Sequence, residues 1–241
     1  MPPEPVTSVP PRAVRPALLT QAWREVAFLH WALDPAVAAP LLPPGTRPDL
    51  WGDHTFVGLV ALRMERTALI GSPPVPWLGT FGQVNVRLYS VDDEGRRGVT
   101  FLSLDADRLP PAVAARYAAG LPYVWSRVRV QRSGDRCGYR VDRHRGTARA
   151  RIDLRLGPPR DPGPLELFVT ARWGLHQRVL GRTVYAAVVH PPWTLREADL
   201  LDCDVGLLAA AGPPVSGPPV SVLFSPGVDD VRIGPPARRS G

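Results

Sequence analysis

From residue 81 to residue 91 the chain alternates with a period of two. In an extended strand this puts Val84, Val86 and Leu88 on one face and Gln83, Asn85, Arg87 and Tyr89 on the other. Residues 92–98 hold two aspartates and two glycines, the chemistry of a hairpin loop of moderate length, and residues 99–105 return as the second arm. The polar face of the first arm carries an amide pair, a guanidinium and a phenol. Such groups fix a ligand's orientation, whereas solvated strands more often carry Thr, Lys and Glu.

The same reading predicts further strands at 23–33, 55–67, 124–132, 137–145, 147–156, 183–190, 220–225 and 228–233. Residues 193–205 contain a strand or a short helix. The stretch 55–67 is nearly continuous in apolar residues at first, so both of its faces are expected to be covered there. In 147–156 the residues Arg149, Arg151, Asp153 and Arg155 share one face and Ala150, Ile152, Leu154 and Leu156 the other, the pattern of a solvated outer surface over a core. Asp34 followed by Pro35 is an N-cap with proline at the first helical position, so a short helix is predicted over 36–42, ended by Pro43-Pro44-Gly45. Further helices are predicted at 110–119, stopped by Gly120, and at 164–173. Residues 71–79, with three prolines, read as a loop.

Many antiparallel strands at short intervals with few helices predict a mainly β (α+β) fold, a closed or nearly closed barrel in a single domain. It is bounded as 18–234, between a disordered or extended proline-rich lead (1–17) and an unfolded basic tail (235–241). No internal repeat is visible.

Composition narrows the classes. The chain has 241 residues, 44% hydrophobic and 21% charged, enough for one sizeable core. No apolar run is long enough to span a bilayer and no leader-like apolar segment opens the chain, which predicts a cytoplasmic protein with no membrane partner. Cys137 and Cys203 are too few and too far apart for a metal site or a disulfide framework and are expected as free thiols. The net charge of +7 suggests phosphate binding. All 29 basic residues are arginine, however, and they are spread among Asp and Glu. That pattern fits a GC-rich codon bias and speaks against dedicated nucleic-acid binding.

The chain has no phosphate loop, no His-Glu-x-x-His, no Cys-x-x-Cys and no Gly-x-Ser-x-Gly. Its five histidines (His30, His54, His144, His176, His190) are scattered, so no metal and no cofactor are expected. Ser103 and Asp105 share a face of the second hairpin arm, but no histidine stands near them in sequence to complete a triad, which argues against a serine hydrolase. His190-Pro191-Pro192-Trp193 reads as a strand ending in a rigid turn, with His190 a candidate acid or base.

Phe81-x-Gln83-x-Asn85-Val86-Arg87-x-Tyr89, then Gly98-Val99-x-Phe101-x-Ser103-Leu104-Asp105-Ala106, resembles the signature of the YqjF-like family, domain of unknown function 2071. Further matches are Ala115-Arg116 through Gly120-Leu121-Pro122-Tyr123, His190-x-Pro192-Trp193 and Phe224-Ser225-x-Gly227-Val228, covering about residues 23–233 in order. The family is distantly similar to acetoacetate decarboxylase, and the resemblance implies an acetoacetate-decarboxylase-like barrel with a central cavity. It also sharpens the chemistry. Schiff-base decarboxylation needs a primary amine, and the decarboxylase lysine follows a pattern that the run 115–123 matches up to its end, where Tyr123 stands instead. The position that is commonly glutamate in the hairpin signature is Gln83, which does not ionise. Lysine-dependent decarboxylation is therefore excluded.

What remains is a set suited to a small anion: Gln83, Asn85, Arg87, Tyr89, Arg116, Tyr123 and His190. Arg116 has a second reading, pairing with Asp105 or Asp107 to fasten its helix. The expected function is binding of a small organic carboxylate or carbonyl ligand, with Asn85 and Arg87 facing an enclosed space and Val84 and Val86 on the outer packing layer. The alternatives are a non-covalent lyase or hydrolase acting on a small oxo- or hydroxy-acid, and a structural or partner-binding barrel with a packed centre. A homo-oligomer is left open.

Overall fold

The computed structural model describes residues 1–69, 71–74, 79–108 and 120–238. Most of the alternating stretches form strands close to their predicted limits. The strands are β1 (Leu19–Leu33), β2 (Thr46–Pro48), β3 (Thr55–Leu69), β4 (Phe81–Asp92), β5 (Arg97–Ala106), β6 (Tyr123–Ser133), β7 (Arg136–Arg143) and β8 (Arg149–Arg160). They are followed by β9 (Gly174–Val179), β10 (Arg182–Val189), β11 (Leu195–Asp204), β12 (Ser221–Ile233) and β13 (Ala237–Arg238). Among the described residues the helices are short: α1 (Pro35–Ala38), which runs into a 3-10 turn over Ala39–Leu41, α2 (Pro164–Thr170) and α3 (Gly206–Ala211). Asp34 caps α1 as expected, its Oδ1 accepting from the Ala36 N–H at 2.7 Å. The helix predicted over 110–119, with Arg116, lies outside the described residues.

Several elements differ from the sequence reading. Residues 220–225 and 228–233 are one strand: β12 runs through Pro226 and Gly227 because Gly227 takes φ 128° and lies against β1, where a Cβ would meet the Trp23 carbonyl oxygen at 2.0 Å. Strands β2 and β9 and helix α3 were not foreseen. β9 pairs with β10 through Leu180 and Gly181, both at positive φ (48° and 80°), a backbone that hairpin turns usually mark with Asn-Gly. The leucine hides the signal. Part of the basic tail also joins the sheet, since Ala237–Arg238 pairs with Tyr185 and Val184 of β10. The lead carries no helix or strand and lies against the body: Glu4 N–H donates to Gly95 O at 2.8 Å, Thr7 O accepts from Trp173 Nε1 at 3.0 Å, and Val14 is buried.

The strand pairings close two circuits that share a wall. One passes β5-β6-β7-β8-β11-β12-β1-β3-β4 and back to β5, a nine-strand barrel. The other leaves β5 through β9 and β10 and rejoins at β12, so β12, β1, β3, β4 and β5 belong to both. The nine-strand interior is packed with apolar side chains. Leu29, Leu59, Val84, Val86, Leu88, Ile152, Leu154 and Phe224 meet there, and Leu207 and Leu208 of α3 join them. Each such fully buried Val or Leu stabilises the fold by roughly 1.5–3 kcal/mol.

This corrects two expectations. The nine-strand barrel has a filled centre, with Val84 and Val86 pointing inward. The polar face of β4 looks the other way, into the second circuit, which α2, β9 and β10 complete and where Phe28, Phe56, Val60 and Phe168 pack beside it. It is not in bulk water: Gln83, Asn85 and Tyr89 are all buried. β8 behaves as predicted, with Ala150, Ile152, Leu154 and Leu156 buried and Arg149, Arg151 and Arg155 exposed.

Candidate functional site

Register sets the site. His30 on β1 pairs with Gly58 on β3, and Gly58 pairs with Arg87 on β4. All three therefore share a face and a row, and the row is passable because Gly58 has no side chain. A Cβ there would lie 3.1 Å from Tyr89 Oη, 3.2 Å from His30 Cδ2 and 3.4 Å from Arg87 Cγ. Asn85 follows on the same face of β4, next to Val60, and Gln83 next to Leu62.

The C-terminal end of α2 lies over this face. Its last carbonyls have no intrahelical partner, so they collect donors and favour cations. Val169 O accepts from Arg87 Nη2 at 3.1 Å and from Tyr89 Oη at 3.0 Å; Phe168 O accepts from Arg172 Nε at 2.7 Å; Thr170 O accepts from Trp193 Nε1 at 3.1 Å. Arg172 is buried and stacks over the Tyr89 and Phe168 rings at 4.7 and 4.3 Å. Its charge is met by Asp49, itself buried and also bonded to Arg97.

Arg87 differs. Nε donates to Tyr89 Oη at 3.3 Å and Nη2 to Val169 O, while among the described residues Nη1 has no hydrogen-bond partner and no carboxylate pairs with the guanidinium. The remaining positions of the sequence hold no Asp or Glu. Two histidines feel this charge. His30 is fully buried with neither ring nitrogen hydrogen-bonded, and burial, then Arg87 and Arg172, hold its pKa well below the usual value. His190 sits among Trp173, Trp193 and Trp23, with ring centroids at 4.6, 4.7 and 5.5 Å. Burial brings its pKa down to about 4, helped by Arg87. With the ring neutral, Nδ1–H donates to Pro191 O at 2.6 Å, which leaves Nε2 as the lone-pair nitrogen.

The predicted site residues divide accordingly. Arg87 and Tyr89 converge on Val169 O, and His190 lies within reach of the Arg87 charge. Gln83 is met by Tyr123, whose hydroxyl donates to Oε1 at 3.3 Å and whose pKa burial pushes up to about 12. Asn85 is buried with Oδ1 unpartnered. Arg116 lies outside the described residues; of the two carboxylates considered for it, Asp105 is already held by Ser126 Oγ at 2.7 Å and by Arg143 at 2.8 and 3.1 Å. His30, Gly58, Asp49 and Arg172 were missed. The available signal for His30 was a polar residue facing the same way as Phe28 in an otherwise apolar strand.

A Ser–His–Asp array does exist, away from Ser103. Ser90 Oγ is 2.8 Å from His176 Nδ1, and His176 Nε2 is 3.3 Å from Asp92 Oδ2. Sequence separation hid the histidine. All three residues are buried and find their hydrogen-bond partners inside the protein, Ser90 also with Thr100 and Asp92 also with Arg96, so the array fastens β4 to β9. Among the described residues no group of His, Cys, Asp or Glu is arranged to hold a metal ion, and both cysteines are free. No described helix is long and apolar enough to cross a membrane.

Comparison with solved structures defines the class. The chain matches acetoacetate decarboxylase from Legionella pneumophila subsp. pneumophila with TM-score 0.65 at 14% identity, over 95% of this chain and 92% of that one. It matches the enduracididine biosynthesis enzyme MppR, in complex with the condensation product of pyruvate and imidazole 4-carboxaldehyde, with TM-score 0.63 at 18% identity, over 89% and 88%. The fold is thus acetoacetate-decarboxylase-like. In sequence the chain is 25% identical over 187 residues to the uncharacterised protein YqjF of Bacillus subtilis (strain 168), 76% of each. It belongs to the DUF2071 family of uncharacterised conserved proteins, whose model matches residues 20–229.

Proposed function

We propose that this protein binds a small organic carboxylate in the second circuit, with Arg87 as the carboxylate anchor and without Schiff-base chemistry. The observation that carries this is the uncompensated guanidinium of Arg87. Arginines removed from water are paired in the rest of this region, as Arg172 and Arg97 are with Asp49. Arg87 is half-buried, pinned through Nε and Nη2, and offers Nη1 free on the strand face that also carries Asn85, its charge felt by two neutral histidines. A carboxylate is the chemistry that neutralises it with charge-assisted hydrogen bonds. The absence of lysine removes covalent capture of a carbonyl by a side-chain amine. MppR, of the same fold, is known in a complex with a pyruvate condensation product, which makes a short oxo-acid a sensible first probe.

Turnover of the same ligand by a non-covalent lyase or hydrolase is the second reading. It is favoured by His190, whose ring keeps a lone-pair nitrogen at Nε2 and feels the Arg87 charge.

Titration calorimetry with pyruvate, lactate and propanoate tests the binding reading. The wild type is expected to bind, and Arg87→Ala to lose about thirtyfold or more in affinity, the usual consequence of removing one partner of a desolvated charge pair. Absence of binding by every carboxylate, or an unchanged affinity in Arg87→Ala, removes the proposal.

A further inference from the structure

We propose that His30 is the specificity-determining residue of this site, reading a second oxygen of the ligand and so selecting short oxo- or hydroxy-carboxylates over plain ones. The inference rests on the carboxylate reading of Arg87 and adds a residue to it.

His30 is completely buried, and both ring nitrogens lack a hydrogen-bond partner. A neutral imidazole owns one donor and one acceptor. Leaving either unsatisfied away from water costs about 1–3 kcal/mol, and folded proteins seldom tolerate it without a use. Burial and two nearby guanidiniums keep the ring neutral, so it meets a ligand as a hydrogen-bonding group and not as a cation.

Position supplies the direction. The missing side chain at Gly58 lets the ring edge that carries Cδ2, the carbon bonded to Nε2, face the Arg87 stem and Tyr89 Oη across one glycine. The ring centroids of His30 and Tyr89 are 5.9 Å apart. Two other buried oxygens along this wall are also unpartnered: Ser221 Oγ, whose residue pairs with His30 in the β1–β12 register, and Asn85 Oδ1 on β4. A wall with an open imidazole and two open oxygens beside a free guanidinium nitrogen is complementary to a molecule with a polar group close to its carboxylate. An oxo oxygen would accept the imidazole N–H; a hydroxyl would donate to the bare nitrogen or accept from its partner.

The test compares pyruvate and lactate with propanoate, by titration calorimetry on wild type, Arg87→Ala and His30→Phe, with thermal melts of the ligand-free proteins. In the wild type the oxygenated acids are expected to bind about tenfold or more tightly than propanoate. His30→Phe is expected to bring that ratio close to one by weakening the oxygenated acids, and to leave the ligand-free melting temperature equal or higher, because two unsatisfied nitrogens are gone. If His30→Phe keeps the wild-type ratio while Arg87→Ala abolishes binding of all three acids, the role of His30 is overturned and the carboxylate reading stands. If the wild type binds none of the acids, both fall. Should the phenyl ring prevent folding, His30→Leu takes the same measurements, and an unchanged ratio in it overturns the proposal equally.

Discussion

Arg87 and Tyr89 donate to one acceptor, the Val169 carbonyl at the end of α2, at 3.1 and 3.0 Å. Two residues apart on one strand face, they meet at a helix end that draws positive charge. The shared acceptor fixes the guanidinium while Nη1 stays available.

Tyr89→Phe removes one of these bonds and the acceptor for Arg87 Nε. The fully buried ring keeps its packing, so the expected loss of stability is about 1 kcal/mol, readable in urea unfolding. Carboxylate affinity should fall several-fold, since Arg87 is then held at one point. Unchanged affinity would mean that the guanidinium is positioned by something else.

Gly58→Ala puts a methyl between His30 and Arg87, at 3.1–3.4 Å from Tyr89 Oη, His30 Cδ2 and Arg87 Cγ. The crowding is expected to cost about 1–3 kcal/mol in unfolding experiments. It should also weaken oxo-acid binding by displacing His30 from the anchor. A stable Gly58→Ala protein with full affinity would show that the two side chains do not act on one ligand.

Asp49→Asn leaves the buried Arg172 guanidinium without its carboxylate, and Arg97 with it. Removing one partner of a buried ion pair costs about 3–5 kcal/mol. A drop of the thermal midpoint by more than about 5 °C is expected for a domain of this size. A shift within about 1 °C would show that Asp49 contributes little to holding α2 against the β4 wall.

His190 is neutral in the fold down to about pH 4. In the unfolded chain it takes up its proton near pH 6.5, as ordinary histidines do, at about 6.5. Between those limits the unfolded state holds more protons, so stability is full above the unfolded value and declines as pH falls towards 4. His190→Gln should flatten unfolding free energy against pH in this window by up to about 1.4 kcal/mol per unit. His30 acts in the same direction, so part of the slope should survive in that variant. Identical slopes in the two proteins would mean that His190 is already protonated when folded.

Much of the wall could be read from residue order. Period two in 81–91 separated the two side-chain sets of β4, because a strand's alternation is local, but the expectation that the polar set faces the barrel interior was reversed, since Val84, Val86 and Leu88 fill it. Proline, glycine and aspartate placed α1 and the β4–β5 turn for equally local reasons. β9 escaped because its turn uses Leu180 where a small polar residue is usual, and β12 was cut in two because Pro226-Gly227 normally ends a strand.

By itself the sequence determined the barrel class, the family, the polar and apolar side-chain sets of β4 and, through the absence of lysine, the exclusion of lysine-dependent decarboxylation. Only the tertiary structure decided which face looks into which circuit. Alternation says that two faces differ, but a wall shared by two circuits buries both, and pairings between strands far apart in sequence choose the side. The same long-range pairings brought His30 and Arg87 together across Gly58, a contact that no local pattern along the chain contains.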